Sequence, residues 1–281
     1  MIRILQGDCM KTLKLLADQS VNTCVTSPPY WGLRDYNGEK EQLGLEATPQ
    51  EFVDNLVAVF REVKRVLRDD GTVWLNLGDT YKKSNLVGIP WRVALALQED
   101  GWYLRQDIIW SKPNPMPESI KNRCTKAHEY IFLFSKNAKY YYDNEAIKED
   151  AKFPGGPISA HAIRKGVGDP KMQTRGGLHK IGANAKRNKR SVWTITTKPF
   201  KEAHFATFPK DLIEPCVLAG CPEGGTVLDP FGGSGTTAQV ANDNQRDSIL
   251  CELSAEYIEI AKKRLHGMFS DVMVETTNGS V

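Results

Sequence analysis

The chain lacks an apolar run of the roughly 18 residues that a membrane-crossing helix needs. Its opening, Met1 to Lys14, has no apolar stretch or small-residue cleavage site of a secretory leader. The six cysteines, Cys9, Cys24, Cys124, Cys216, Cys221 and Cys251, form no C-x-x-C pair. That argues against a disulfide framework or a zinc site and for reduced thiols in the cytoplasm. Charge of one sign is scarce: 37 basic and 34 acidic side chains leave a net +3. This is too little to name a nucleic acid as partner by itself, so any basic footprint has to be local. No segment repeats at a period of about 20–50 residues, which excludes a solenoid or propeller. With 41% hydrophobic and 25% charged residues, the composition is that of a globular chain, not a disordered one.

What is present is an alternation of strands and helices. Ile2–Leu5 is a short apolar run, and Asp8 is placed to cap a helix through Leu16. The β-branched run Val21–Thr26 stops at Ser27-Pro28-Pro29, because proline cannot continue a ladder. Thr48-Pro49-Gln50-Glu51 reads as a capping box. The helix behind it puts Phe52, Leu56, Val59, Phe60, Val63 and Leu67 on one face, until Asp70-Gly71 ends it. A strand at Val73–Leu77, a helix near Pro90–Leu97 and strands near Tyr103–Trp110 and Tyr130–Phe134 follow. After Pro209 the alternation resumes with a helix over Lys210–Ala219, a strand at Thr226–Asp229 and a helix over Ser234–Asn242. A strand at Ser248–Leu253, a helix capped by Ser254 and running to Leu265, and a polar, fraying end from Ser270 complete the chain. This order predicts a doubly wound, mostly parallel α/β sheet.

Between Lys136 and Arg190 the periodicity is lost. Within it, between His161 and Arg190, nine basic residues (Arg164, Lys165, Lys171, Arg175, Lys180, Lys186, Arg187, Lys189 and Arg190) face one acid, Asp169. On composition alone this is a solvated loop or a phosphate-contacting arm.

Two motifs carry chemistry. In Val227–Thr237, VLDPFGGSGTT, a strand delivers Asp229 to a glycine turn that lets backbone approach a ligand, and Glu252 follows 23 residues later. An acid at that distance can bind both hydroxyls of a ribose. The loop lacks the Gly-Lys-[Ser/Thr] ending that holds a triphosphate and the G-x-G-x-x-G spacing, so the ligand it suits is a nucleoside without a triphosphate. In Thr26–Trp31, TSPPYW, two prolines make a rigid turn that aims the Ser27 and Pro28 carbonyls outward beside the Ser27 hydroxyl, with Tyr30 adjacent. Such a cluster suits a planar amine, its hydrogens accepted and its face stacked. Taken singly, each motif also reads as a tight structural turn.

Together the motifs resemble those of the S-adenosylmethionine-dependent amino-methyltransferases of DNA, in particular the permuted (beta) group that carries its catalytic motif ahead of its cofactor motif. Ser27-Pro28-Pro29-Tyr30 matches the catalytic tetrapeptide, and Asp229, Phe231, Gly232, Gly233, Ser234, Gly235 and Thr236 match the cofactor loop. Phe205 and Thr207 lie in a segment similar to the one that closes over the methionine end of the cofactor, and Asp8 resembles the acid that meets the adenine. The resemblance implies a Rossmann-like methyltransferase domain with a catalytic half (1–135), a basic target-recognition insertion (136–200), a cofactor-binding half (201–269) and a tail (270–281). It implies that Ser27 and Pro28 accept hydrogen bonds from an exocyclic amine, that Tyr30 stacks on a flipped base, and that S-adenosylmethionine donates the methyl group. Arg164, Lys165, Arg175, Lys186, Arg187, Lys189 and Arg190 are the expected DNA contacts. Serine at the first tetrapeptide position favours N4 of cytosine, with N6 of adenine as the alternative. A homodimer and a cognate restriction endonuclease stay open as partners.

Other residues read as less specific. Pro215-Cys216 carries the dipeptide of a carbon-5 nucleophile, but in a helix, so Cys216 is expected to be packing. Lys112 and Arg123 are either phosphate contacts or exposed loop charges. His128-Glu129 has no third ligand spaced for a metal. Trp31, Trp74, Trp91 and Trp102 are expected in the core or a pocket wall.

Overall fold

The computed structural model describes residues 1–32, 42–151, 186–197, 208–265 and 272–276. The chain divides into two compact units, Met1–Asp143 with Ser191–Val281, and Asn144–Arg190. The segment 136–200, expected as an insertion, therefore contributes to both.

The first unit is built on a nine-stranded sheet. Its elements are β1 (Ile2–Gln6), α1 (Cys9–Thr12), β2 (Val21–Thr26), α2 (Pro49–Val66), β3 (Leu67–Leu77), α3 (Ile89–Glu99), β4 (Tyr103–Ser111) and β5 (His128–Ser135). Then come β6 (Val192–Thr194), α4 (Lys210–Gly220), β7 (Thr226–Asp229), α5 (Thr236–Asp243), β8 (Asp247–Glu252), α6 (Ala255–Leu265) and β9 (Val272–Thr276). The strand order is β6-β4-β5-β3-β2-β7-β8-β1-β9. Only β5 runs antiparallel to its neighbours.

Side-chain alternation loads both faces. Leu5, Ile249 and Cys251 pack with α2 and α3 on one side, whereas Ile2, Ile4 and Leu250 pack with α5 and α6 on the other. Helix α2 starts as its sequence dictates, with Thr48 accepting from the Glu51 amide and the Glu51 carboxylate accepting from the Thr48 amide. Phe52, Leu56, Phe60, Val63 and Val66 are wholly buried beneath it, each worth about 1.5–3 kcal/mol relative to exposure. The connection from β2 to β3 covers one face and that from β7 to β8 the other. The switch point of the sheet, where such folds open a ligand crevice, therefore lies between β2 and β7.

Four expectations change. Helix α2 ends at Val66 and β3 begins at once at Leu67, so Asp70-Gly71 lies inside the strand. A register shift between Val21 and Thr23 of β2 absorbs the extra β3 residues as a bulge. The helix after Asp8 is one turn of α followed by a 3₁₀ turn at Leu13–Leu15. Helix α5 starts at Thr236, because Gly235 is left-handed (φ +79°) and stands outside the helix as its cap. Of the end expected to fray, Val272–Thr276 is a strand parallel to β1, tied down by the Arg3 guanidinium on the Glu275 carboxylate. In the second unit, Glu149–Asp150 pairs antiparallel with Lys186–Arg187.

Candidate active site

β2 and β7 are parallel neighbours, with Val227 opposite Thr23 and Leu228 opposite Cys24. The tetrapeptide leaves the end of β2 and the glycine loop leaves the end of β7, so both emerge from one edge of the sheet. The Thr26 hydroxyl donates to Asp229 Oδ1 at 2.6 Å, the Phe231 amide donates to the same oxygen at 3.0 Å, and the Thr237 hydroxyl donates to Oδ2 at 2.6 Å. Burial pushes the Asp229 carboxyl above its usual range, although these hydrogen bonds pull it down. Asp229 is 1% exposed. Asp229, expected as a cofactor contact, thus lies buried behind the loop, with its carboxylate hydrogen-bonded to the end of β2 and to the loop itself.

The loop continues over backbone. Gly232 donates to the Cys251 carbonyl at 2.8 Å, and a Cβ there would stand 2.8 Å from Leu250 Cβ, so the turn needs glycine. Phe231 and Gly233 are partly exposed, while Gly232, Ser234, Gly235 and Thr236 are buried. On the neighbouring strand, Glu252 ends β8. Its Oε2 accepts from the Gly233 amide at 2.7 Å and its Oε1 from the Ser254 amide at 2.9 Å. Burial raises the Glu252 carboxyl and these amides oppose the rise. Each oxygen retains acceptor capacity. The Gly7 amide donates to the Glu252 carbonyl, which brings Asp8, the cap of α1, beside Glu252 at the ends of β1 and β8. An acceptor pair, a second acid and exposed loop backbone on one edge form a donor and acceptor set that fits a nucleoside.

The surroundings of the tetrapeptide were not legible beforehand. The Tyr30 hydroxyl lies 2.7 Å from Glu129 Oε2, 3.1 Å from Asn76 Oδ1 and 3.5 Å from Ser27 Oγ. Glu129, at the start of β5, is ion-paired with Lys112, which follows β4. Gly78 follows β3, and a Cβ on it would meet Tyr30 Cε2 at 2.5 Å. Asp79 accepts from the Thr80, Gly88 and Ile89 amides and so pins the start of α3 to the same edge. Asn76, 3% exposed between two buried leucines, was the one signal the sequence offered. Arg264, in the last turn of α6, was also missed: it donates to the Ser234 hydroxyl at 2.9 Å, the Thr236 hydroxyl at 2.7 Å and Gln239 at 2.8 Å.

Other sequence readings divide. Lys112 is paired with Glu129, and Arg123 is held by Glu118 at 2.7 Å and stacked on Tyr81, so neither is a bare loop charge. Trp31, Trp74 and Trp102 are buried, but Trp91 is 39% exposed. Cys216 is buried in α4, where its thiol meets the Leu212 carbonyl. Arg187 and Arg190 both pair with Glu149 at 2.9 and 2.6 Å, which neutralises part of the basic cluster within the second unit. Lys186 is exposed and Lys189 partly so. Phe205, Thr207, Arg164, Lys165 and Arg175 lie outside the described residues. A hollow of about 370 Å³ at the opposite sheet edge is lined by Arg61, Lys64, Arg65, Lys136, Asp18 and Gln19. Arg61, Arg65 and Lys136 are each ion-paired there, with Asp100, with Asp18 and Glu62, and with Asp69. Among the described residues, no helix is long and apolar enough to cross a membrane.

Comparison with known proteins agrees with this geometry. A family model described as DNA methylase, of the N6/N4 methyltransferase type, matches residues 21–263. The type II methyltransferase M.Cfr9I of Citrobacter freundii is 44% identical, over 96% of this chain and 89% of its own length. M.SmaI of Serratia marcescens is 43% identical over 94% and 90%. Among solved structures, a DNA modification methylase of Thermus thermophilus superposes with a TM-score of 0.67 at 25% identity, covering 98% of this chain and 99% of that one. The same methylase complexed with S-adenosyl-L-methionine gives 0.65 at 24%, over 98% and 99%. The cytosine-N4-specific PvuII methyltransferase shares the fold at 0.69 and 22%, over 95% and 86%. The chain belongs to the DNA methylase family of N6/N4 methyltransferases.

Proposed function

We propose that this DNA methyltransferase methylates the exocyclic N4 of cytosine in DNA at a specific site, with S-adenosylmethionine as methyl donor and with the motif order of the permuted group. The observation that carries the reading is the Thr26–Asp229 hydrogen bond. It joins the serine-type tetrapeptide to the nucleoside loop, so amine and donor meet at one edge.

In this reading Glu252 takes the ribose hydroxyls, Asp8 meets the adenine, and Phe231 with the Gly233–Thr236 backbone cradles the rest. Phe205 and Thr207 belong to the segment closing over the methionine end. When bound, S-adenosylmethionine supplies an electrophilic sulfonium methyl. The amine of cytosine is a poor nucleophile because its lone pair is delocalised into the ring. Ser27 Oγ and the Pro28 carbonyl accept its hydrogens and turn the lone pair toward the methyl group. Pro29 keeps the turn rigid and Tyr30 stacks on the extruded base, since the target atom is out of reach inside the duplex. Transfer is direct, so no cysteine nucleophile is needed, in keeping with the buried Cys216. Arg164, Lys165, Arg175, Lys186, Arg187, Lys189 and Arg190 contact DNA phosphates around the target. The type II names of the relatives support a cognate restriction endonuclease as functional partner.

Incubation of the purified protein with methyl-labelled S-adenosylmethionine and DNA, followed by digestion and mass analysis of the nucleosides, tests the assignment. N4-methylcytosine is expected. Methyladenine without methylcytosine moves the activity to N6 of adenine.

A further inference from the structure

Tyr30 has one phenolic proton and two acceptors within reach, Glu129 Oε2 at 2.7 Å and Asn76 Oδ1 at 3.1 Å. The carboxylate is the shorter and stronger of the two, because a charged acceptor roughly doubles the strength of a hydrogen bond. Lys112 holds that carboxylate from one side by its ion pair. The Asn76 amide donates to the Tyr130 carbonyl at 3.0 Å and lies 3.4 Å from Glu129 Oε2, which steadies it from another. The ring itself rests where Gly78 has no side chain. Its hydroxyl is thus gripped from β5 and β3 while its ring lies against the chain just past β3.

We propose that Glu129 is a positioning residue: its Lys112-held carboxylate accepts the hydrogen bond of the Tyr30 hydroxyl, fixes the plane of the Tyr30 ring, and orders the hydroxyls beside the target amine. This rests on the reading of Tyr30 as the ring that stacks on the base. With the Tyr30 proton committed to Glu129, the phenol oxygen can only accept from Ser27, 3.5 Å away. The Ser27 lone pairs then point to the amine, which is the acceptor role methyl transfer asks of them. A ring left to rotate, or a serine hydroxyl turned the other way, would present the base with a misaligned platform or a donor in place of an acceptor.

The test uses Glu129→Gln, Tyr30→Phe and the double variant in the full-length protein. Tyr30→Phe keeps the ring and its packing, so it remains informative if Glu129→Gln folds poorly. Single-turnover methylation is expected to slow about 10- to 100-fold in each single variant. The double variant should lose no more than the worse single one, with cofactor affinity unchanged in all three. Additive losses, or a Tyr30→Phe rate equal to wild type, overturn the proposal. A second readout needs neither DNA nor cofactor: in NMR of tyrosine-labelled protein, the resonance lost in Tyr30→Phe should shift in Glu129→Gln while the other tyrosines stay. An unmoved Tyr30 resonance overturns the anchor whatever the protein methylates. Wild-type protein that methylates neither cytosine nor adenine overturns the proposed reaction instead.

Discussion

The Thr26 hydroxyl donates to the Asp229 carboxylate at 2.6 Å across 203 positions of sequence. This bond holds the end of β2 against the start of the glycine loop. Thr26→Val keeps the shape and removes the donor, leaving a buried carboxylate short of a partner. Unfolding in urea should show a loss of about 1–3 kcal/mol. Methyl transfer should fall as well, because the two motifs lose their common register. A variant with wild-type stability and rate would show the bond to be dispensable.

Arg264 reaches back from the end of α6 to the hydroxyls of Ser234 and Thr236. Arg264→Ala frees two loop hydroxyls at once. Calorimetric titration is expected to show S-adenosylmethionine binding weakened about 10-fold, equivalent to roughly 1.4 kcal/mol, with DNA affinity unchanged. Equal losses for both ligands would point to general unfolding of the domain.

Gly78→Ala would bring a methyl group against the Tyr30 ring. The ring must move, so kcat should drop while cofactor affinity holds. Steady-state kinetics beside calorimetry separates the two, and an unchanged kcat would mean that the ring has room to yield.

Glu252 and Asp229 both hold their protons above the ordinary carboxylate range because burial disfavours the charged form. Between the unfolded and folded values the native state binds more protons, so their contribution to stability is whole below the unfolded value. It is lost as pH rises through the folded value. Glu252→Gln removes one of these groups. The stability of wild type minus that of Glu252→Gln should therefore shrink as pH rises through that window, as read by urea unfolding at a series of pH values. A difference independent of pH would place the Glu252 carboxyl in an ordinary environment.

Local chemistry in the sequence determined a great deal about this protein. The Thr48–Glu51 capping box, the diproline stop after Thr26, and the strand limits of Val21–Thr26 and Thr226–Asp229 are short-range effects of dihedral restriction and capping, and they appear in the structure where the residues put them. The acid that caps α1, the acid that ends β8 and the glycines after β7 were likewise visible at the ends of their elements. What the tertiary structure alone decided is which distant groups meet. Asp229 became a buried tie because β2 lies beside β7. Glu129, read only as half of a His-Glu pair, reached Tyr30 because β5 inserts antiparallel next to β3. Arg264 found the glycine loop only once α6 folded back. The polar end at Val272–Thr276 became a strand because the edge of β1 was unpaired there and could accept it. Pattern and propensity act over a few residues, whereas strand order brings together side chains a hundred or two hundred positions apart, and no spacing in the sequence encodes that distance.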